Sequence, residues 1–205
     1  DFFEARKTTT IHLTLQTESA VRTAIVNAYR QGYDTITVHY TRDTVYFIIL
    51  TTLKELLIGF EIMKKGEGFC VLENVTEPSS EQFDILFRKI FYNISSLIQG
   101  TRDRLQKQTS FSEYIDIVQK IHQYDNFCRR VIVNKNLFGG QSLLMWTFMT
   151  LLVHGQRDLY HLNTYLDKHN VDFKHFVFFE YLRDIFSLLH EGYVKKDLVL
   201  LEKIH

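Results

Sequence analysis

The sequence predicts an α+β protein in which a small sheet-containing domain precedes an all-α helical bundle. Two features of the chain support this prediction. Up to about residue 75, short segments alternate apolar and polar residues with a period of two, which is typical of half-buried strands. Beyond the only proline, Pro78, apolar residues recur with a period of 3.6, which is typical of amphipathic helices.

The N-terminal part predicts the element order β-α-β-α-β-β over about residues 8–75. The stretches TTTIHLTLQT and DTITVHYT alternate apolar and polar residues and are rich in β-branched side chains, so both are predicted strands. The helix between them begins at a Thr17 or Ser19 cap and stops at Gly32. A second helix ends near Gly59 and is followed by a hairpin with the turn KKGEG. Two helices on one face of a mixed sheet form an α+β sandwich of ferredoxin-like type.

The stretch TEPSS around Pro78 predicts the domain boundary, with an α+β accessory domain at residues 1–77 and a helical bundle at residues 78–205. Short breaks divide the second part into four helices, which makes neighbouring helices antiparallel. Three apolar stripes are predicted to face the core: Phe83, Phe87, Ile90, Ile94, Leu97 and Ile98; Val118, Ile121, Asp125, Cys128 and Ile132; and Leu144, Phe148, Leu151, Gly155, Leu159, Leu162 and Leu166.

Composition and charge restrict the class of protein. The 24 acidic and 24 basic residues balance without a long run of like charge, so the whole chain has no electrostatic attraction to nucleic acid or membranes, although a local basic patch stays open. Cys70 and Cys128 occur singly in apolar contexts, which favours reduced thiols in a cytoplasmic protein. The apolar stretches are shorter than the ~20 residues that span a bilayer, so no membrane insertion is predicted.

The segment LKELLIGFEIMKKGEGFCVLENV, followed by SSEQFDILFRKIFYNISSLIQGTRD, carries a resemblance to a known family. This order of parts is similar to that of archaeal PhoU-like proteins, the phosphate uptake regulators. The resemblance is most specific from Leu53 to Asp103 and extends to about Leu166. It implies that the hairpin closes an accessory domain and that the helices form a PhoU-like bundle. Many family members begin with an AbrB-like DNA-binding domain, which is absent from this sequence; residues 1–7 are interpreted as the stub of the linker that follows it.

The resemblance also directs attention to metal ligands, because PhoU-like bundles often carry two acidic residues one helical turn apart. Here the nearest matches are the isolated Asp125 and the series His154, Asp158 and His161. One interpretation is a degenerate metal or anion site, which would suit a soft divalent ion because it contains two imidazoles. The interpretation we favour is that the acids pair with neighbouring arginines such as Arg129, Arg130 or Arg157 and that the histidines edge the core. The sequence therefore predicts no metal and no cofactor.

The fourth helix, roughly from Phe173 to Glu191, is apolar around most of its circumference. It is either a central helix buried by the other three, or a helix with one side that contacts a second copy or a partner protein. The candidate interface residues are Phe176, Phe178, Phe179 and Phe186.

Two classes of function stay open, and both are non-enzymatic, since the sequence has no nucleophile elbow, phosphate-cradling glycine loop or paired cysteine ligands. The first is a regulatory protein resembling phosphate uptake regulators. It would act as a homodimer or on a protein partner, with transcriptional control only through a DNA-binding domain preceding Asp1. The alternative is a structural interaction module that has lost the metal motif and docks on a larger macromolecular or ribonucleoprotein assembly.

Overall fold

The computed structural model of the chain describes residues 6–76, 79–107, 109–169 and 177–197, together with the single residues 199 and 202. The described elements are strands β1 (Thr8–His12), β2 (Thr35–His39), β3 (Phe60–Gly66) and β4 (Phe69–Asn74), and helices α1 (Glu18–Arg30), α2 (Asp43–Leu56), α3 (Ser80–Lys107), α4 (Tyr114–Lys135), α5 (Ser142–Lys168) and α6 (Val177–Lys195). Sheet elements precede a run of helices, which confirms the predicted α+β class. The predicted boundary residue Pro78 lies outside the described residues.

The chain divides into two compact units that do not follow the linear order of the elements. The first unit comprises residues 1–87 and 122–149, and the second comprises residues 88–121 and 150–205. The first unit therefore contains the whole sheet, α1 and α2, together with parts of the long helices. The domain limits predicted from the sequence, 1–77 and 78–205, stay a prediction.

The sheet has four strands in the order β1-β2-β4-β3. Strands β1 and β2 are parallel, whereas β4 is antiparallel to both β2 and β3. Helices α1 and α2 cover one face of this sheet. The core between them consists mainly of fully buried aliphatic side chains: Val21, Ile25, Ile36, Val38, Val45, Ile49, Cys70 and Leu72. This single-sided burial explains the period-two pattern that predicted the strands.

The other face of the sheet carries mostly polar side chains, and we call it the open sheet face. Cross-strand pairing arranges it in three rows: Thr8, Thr35, Glu73 and Glu61; Thr10, Thr37, Val71 and Lys64; and His12, His39, Phe69 and Gly66. All twelve residues are exposed or half-buried. The register shifts between Ile62 and Lys64, which places Met63 in a bulge of β3.

Local signals account for the limits of α1. The Thr17 hydroxyl accepts a hydrogen bond from the backbone N–H of Ala20, so Thr17, rather than Ser19, is the N-cap. The helix ends before Gly32, which has a φ of +82° that side-chain-bearing residues rarely adopt. A Cβ at this position would also lie 1.8 Å from Oδ1 of Asn134, so Gly32 is required by space as well as by conformation.

The stripes predicted for α3 and α4 are confirmed, because every one of their residues is buried. The stripe predicted for α5 is partly wrong. Leu144 and Leu151 are 71% and 65% exposed, while the buried side of this helix consists of Met145, Met149, Leu152, Gln156, Leu159 and Asn163. The first half of α5 is apolar on nearly all sides, so its sequence pattern does not determine which side faces inward.

Candidate functional site

The four residues of the predicted polar site have different environments. Asp125 is 1% exposed and belongs to the first unit. His154, Asp158 and His161 lie on the exposed side of α5, in the second unit. Among the residues that the structure describes, no group of three or more His, Cys, Asp or Glu side chains is placed to hold a metal ion.

Asp125 lies within a cluster of ion pairs between α4 and α1. Nε of Arg129 donates to both carboxylate oxygens of Asp125, at 2.9 and 3.0 Å, and Nη2 of Arg30 donates to Oδ2 at 3.0 Å. Arg30 also donates to the side chain of Asn126, whose amide in turn donates to the backbone carbonyl of Leu56. The carboxylate oxygens are therefore taken up by guanidinium groups, which fits the ion-pair interpretation of Asp125.

The neighbouring Arg130, which the sequence offered as a partner for the acids of the polar site, is fully buried and pairs instead with Asp34. Its Nη1 donates to the backbone carbonyls of Tyr29 and Tyr33, at 3.1 and 2.7 Å, and its Nη2 donates to Asp34 at 2.7 Å. The guanidinium carbon lies 5.2 Å from the ring centroid of Tyr29 and 5.0 Å from that of Phe60. Burial lowers the pKa of Arg130, and the proximity of Tyr29 and Asp34 opposes this shift.

These buried arginines connect α4 to the sheet-containing part of the first unit. A buried charge is costly unless it is paired and hydrogen-bonded. Arg130 meets that condition through two carbonyls and one carboxylate, and Asp125 meets it through two arginines. Two adjacent arginines next to the apolar stripe of α4 were the available sequence signal. The cluster holds α4 against α1 and Asp34, and its charged groups are already paired with one another. We therefore assign it a structural role.

A different surface is formed by α6, which is not uniformly buried. Phe178, Tyr181 and Ile185 are 60%, 65% and 43% exposed, and their spacing places them along one side of the helix. We call these three residues the α6 stripe. On the buried side of α6 lie Phe179 and Phe186, which are 2% and 9% exposed.

The predicted interface residues that the structure describes therefore lie in different environments. Phe178 is at the surface, whereas Phe179 and Phe186 belong to the core of the second unit. The ring of Phe186 lies 5.4 Å from that of Phe91 on α3. Phe176 lies outside the described residues. Tyr181 and Ile185, which were not among the candidates, join Phe178 on the exposed side.

Ion pairs and hydrogen bonds hold α5 and α6 to α3 within the second unit. Arg104 of α3 pairs with Asp167 at 2.7 Å and donates to the backbone carbonyl of Asn163. Arg102, two residues before Arg104 on α3, pairs with Glu180 at 2.6 Å. Since Glu180 lies within the first turn of α6, this contact fixes the helix at the end that carries Phe178.

Within the described part of the chain, none of the helices combines the length and apolar character needed to span a bilayer. Comparison of the chain with protein-family models, with curated proteins and with solved structures found no match.

Proposed function

We propose that this protein is a non-enzymatic regulatory protein resembling the phosphate uptake regulators, and that it acts through protein contacts made by the α6 stripe. The observation that carries the contact is the exposure of three large apolar side chains, Phe178, Tyr181 and Ile185, along one side of a single helix. Isolated exposed apolar residues are common on monomeric proteins, but a contiguous set that includes two aromatic rings is typical of interface cores.

The resemblance of the sequence segments at residues 53–103 supplies the regulatory part of the proposal. The finer fold assignment belongs with it, namely a ferredoxin-like accessory domain and a PhoU-like bundle. A four-stranded mixed sheet with two helices on one face and a run of long helices after it supports this assignment. Transcriptional output would require a DNA-binding domain on the same polypeptide.

The occupant that we favour for the stripe is a second copy of the chain. Complete burial of one large apolar side chain contributes roughly 1.5–3 kcal/mol, and these side chains are already about half buried. A symmetric contact would use each side chain twice, and association itself costs on the order of 4–15 kcal/mol. The gain from burial is thus only slightly larger than the cost of association, which predicts a reversible dimer of modest affinity rather than an obligate one.

Sedimentation velocity over a range of protein concentrations tests this proposal. We expect a monomer–dimer equilibrium that Phe178→Glu shifts strongly to the monomer, because the substitution places a charge in the contact. Tyr92→Glu is the matched control, since Tyr92 is 70% exposed on α3 and is not part of the stripe. A protein that is monomeric at all concentrations, or a dimer that is weakened equally by both substitutions, would rule out self-association through α6.

The alternative function, docking on a larger macromolecular or ribonucleoprotein assembly, uses the same surface. It predicts a monomeric pure protein that cosediments with large particles from cell extract, and Phe178→Glu would abolish that cosedimentation. The two functions also differ genetically. Only the regulatory function predicts that phosphate-uptake genes respond abnormally to phosphate in cells whose sole copy carries Phe178→Glu.

A further inference from the structure

Two histidines lie side by side on the open sheet face. His12 is the last residue of β1 and His39 is the last residue of β2, and the two are paired in register across the parallel strands. Their imidazole rings are stacked, with centroids 4.7 Å apart and planes 9° from parallel. The strands therefore bring two ring systems together although they are 27 positions apart in the sequence.

The ring nitrogens of both histidines are available. Within the described part of the chain, neither imidazole takes part in a hydrogen bond or an ion pair; their contacts are with each other and with the ring of Phe69. His12 is exposed and His39 is half-buried. Buried histidines normally use a ring nitrogen in a hydrogen bond, whereas these two leave their nitrogen atoms to solvent.

Phe69 and Gly66, which lie in the same row of the open sheet face, support the stacking of the two histidines. The Phe69 ring lies 5.8 Å from the ring of His39 and extends over β3 at Gly66. A Cβ at position 66 would lie 2.1 Å from the Phe69 ring, so only glycine leaves room for it. Phe69 thus occupies the side of His39 that faces away from His12, which limits the freedom of His39 to turn from its partner.

The separation of the rings is close to that needed for chelation. A tetrahedral metal ion with bonds of about 2.0–2.1 Å to two imidazole nitrogens holds those nitrogens about 3.3 Å apart. The ring centroids are 4.7 Å apart and the planes are nearly parallel, so both side chains must rotate to direct one nitrogen each at the same ion. Because the two strands already fix the backbones of His12 and His39 side by side, binding would order only these two side chains.

The charges of the open sheet face select the type of ligand. Its acidic residues, Glu61 and Glu73, lie in the row at the opposite end of the strands, four residues from the histidines along β2, or about 13 Å. The donors are therefore imidazoles alone, which suit Zn²⁺, Cu²⁺ and Ni²⁺ rather than Mg²⁺ or Ca²⁺. A nucleic acid stacked on the same rings fits less well, because Lys64 is the only basic residue in the three rows.

We propose that His12 and His39 form an exposed two-histidine site for a divalent transition-metal ion of the Zn²⁺, Ni²⁺ or Cu²⁺ type. Two protein ligands leave the remaining coordination positions to water or to an external donor. The site is independent of the proposed contact through α6, and it uses none of the four residues predicted as a polar site from the sequence.

Isothermal titration of the metal-free protein with Ni²⁺ and with Zn²⁺ tests the proposal. The variants are His12→Thr, His39→Thr and the double variant, because threonine occupies the equivalent positions one and two rows away on both strands. His154→Ala is the matched control, since His154 is an exposed histidine on α5. Thermal unfolding without metal verifies that each variant is folded.

We expect one site per chain whose affinity falls roughly tenfold or more in either single variant, because loss of one ligand abolishes chelation. The double variant should bind most weakly of all, because each single variant keeps one imidazole ligand. Addition of Ni²⁺ should raise the unfolding temperature of the wild type and of His154→Ala only. Equal binding by wild type and both threonine variants, or a loss of binding only in His154→Ala, would overturn the proposal.

Discussion

The guanidinium of Arg130 and the carboxylate of Asp34 form a hydrogen-bonded ion pair of 2.7 Å between residues 96 positions apart in the sequence. The Arg130 side chain is fully buried, and that of Asp34 is 28% exposed. The pair thereby joins the residue just before β2 to the last third of α4. Since the arginine has no access to water, the free energy of unfolding should depend strongly on the groups that it contacts.

Substitution of Arg130 by methionine should destabilise the fold by about 3–5 kcal/mol, because two backbone carbonyls lose their donor and the apolar side chain cannot replace it. Asp34→Asn should cost less, about 1–2 kcal/mol, since the amide oxygen still accepts a hydrogen bond and the site is partly solvated. Urea unfolding followed by circular dichroism measures both changes. A loss below 1 kcal/mol for Arg130→Met would show that the buried charge is not important for stability.

Truncation of the two adjacent phenylalanines of α6 should change the free energy of unfolding by very different amounts. Phe179→Ala removes a side chain that is 2% exposed and should lower the free energy of unfolding by about 3–5 kcal/mol. Phe178→Ala removes one that is 60% exposed and should change it by less than about 1 kcal/mol. Chemical denaturation at low protein concentration, where association is negligible, checks both values. Equal losses in the two variants would contradict the assigned orientation of the helix.

The two buried thiols should be unreactive in the folded protein. Burial raises the pKa of Cys70 to about 11 and that of Cys128 well above its usual value, and the thiolate is the reactive form. Iodoacetamide near neutral pH should therefore label neither cysteine until the protein is unfolded. Rapid stoichiometric labelling of the native protein at either position, detected by mass spectrometry, would contradict this prediction.

The same thiols predict a loss of stability in alkaline solution. A group whose pKa is raised on folding contributes stability below its unfolded pKa, and that contribution disappears as the pH rises through its folded pKa. For Cys70 this window extends from about pH 9 to about pH 11. Within it, one thiol lowers the free energy of unfolding by about 1.4 kcal/mol per pH unit. Cys70→Ala should make the alkaline decline shallower, and an unchanged slope would argue against the shift.

The four residues predicted as a polar site, Asp125, His154, Asp158 and His161, should not bind a metal ion together. Asp158→Ala should leave the uptake of Zn²⁺ unchanged, because Asp158 is exposed and no cluster of three ligands was found among the described residues. Asp125→Asn should instead lower stability by about 2–4 kcal/mol, since Arg129 would lose its buried partner. Elemental analysis and denaturation measure the two effects. An ion present in stoichiometric amount and lost in Asp158→Ala would show that the site does hold metal.

The sequence predicted the secondary structure better than it predicted the contacts of the polar residues. Period-two alternation located the strands because one face of the sheet is buried and the other is not. Helical spacing placed Asp125 on the buried side of α4, and the structure confirms that position. Its partner Arg30, however, is 95 positions away, and no local pattern relates the two.

Failure to predict the buried side of α5 has a different physical cause. The run LLMWTFMTLLV at residues 143–153 is apolar in almost every direction, so several rotations of the helix satisfy the hydrophobic pattern equally. Which side turns inward depends on neighbouring helices and on polar groups such as Asn163, whose amide donates to Thr101 of α3 at 2.7 Å. The pairing of His12 with His39 was likewise invisible, because strand register is a long-range property.

The bulge at Met63 makes the two edges of the sheet unequal. Edge strands expose unpaired backbone groups that can recruit a further strand from another chain, and bulges and lysines oppose such growth. Strand β3 has both protections, since Met63 interrupts its pairing and Lys64 and Lys65 follow at once. Strand β1 is regular and rich in threonine. Any lateral extension of the sheet, whether by a peptide in trans or during aggregation, should therefore begin beside β1.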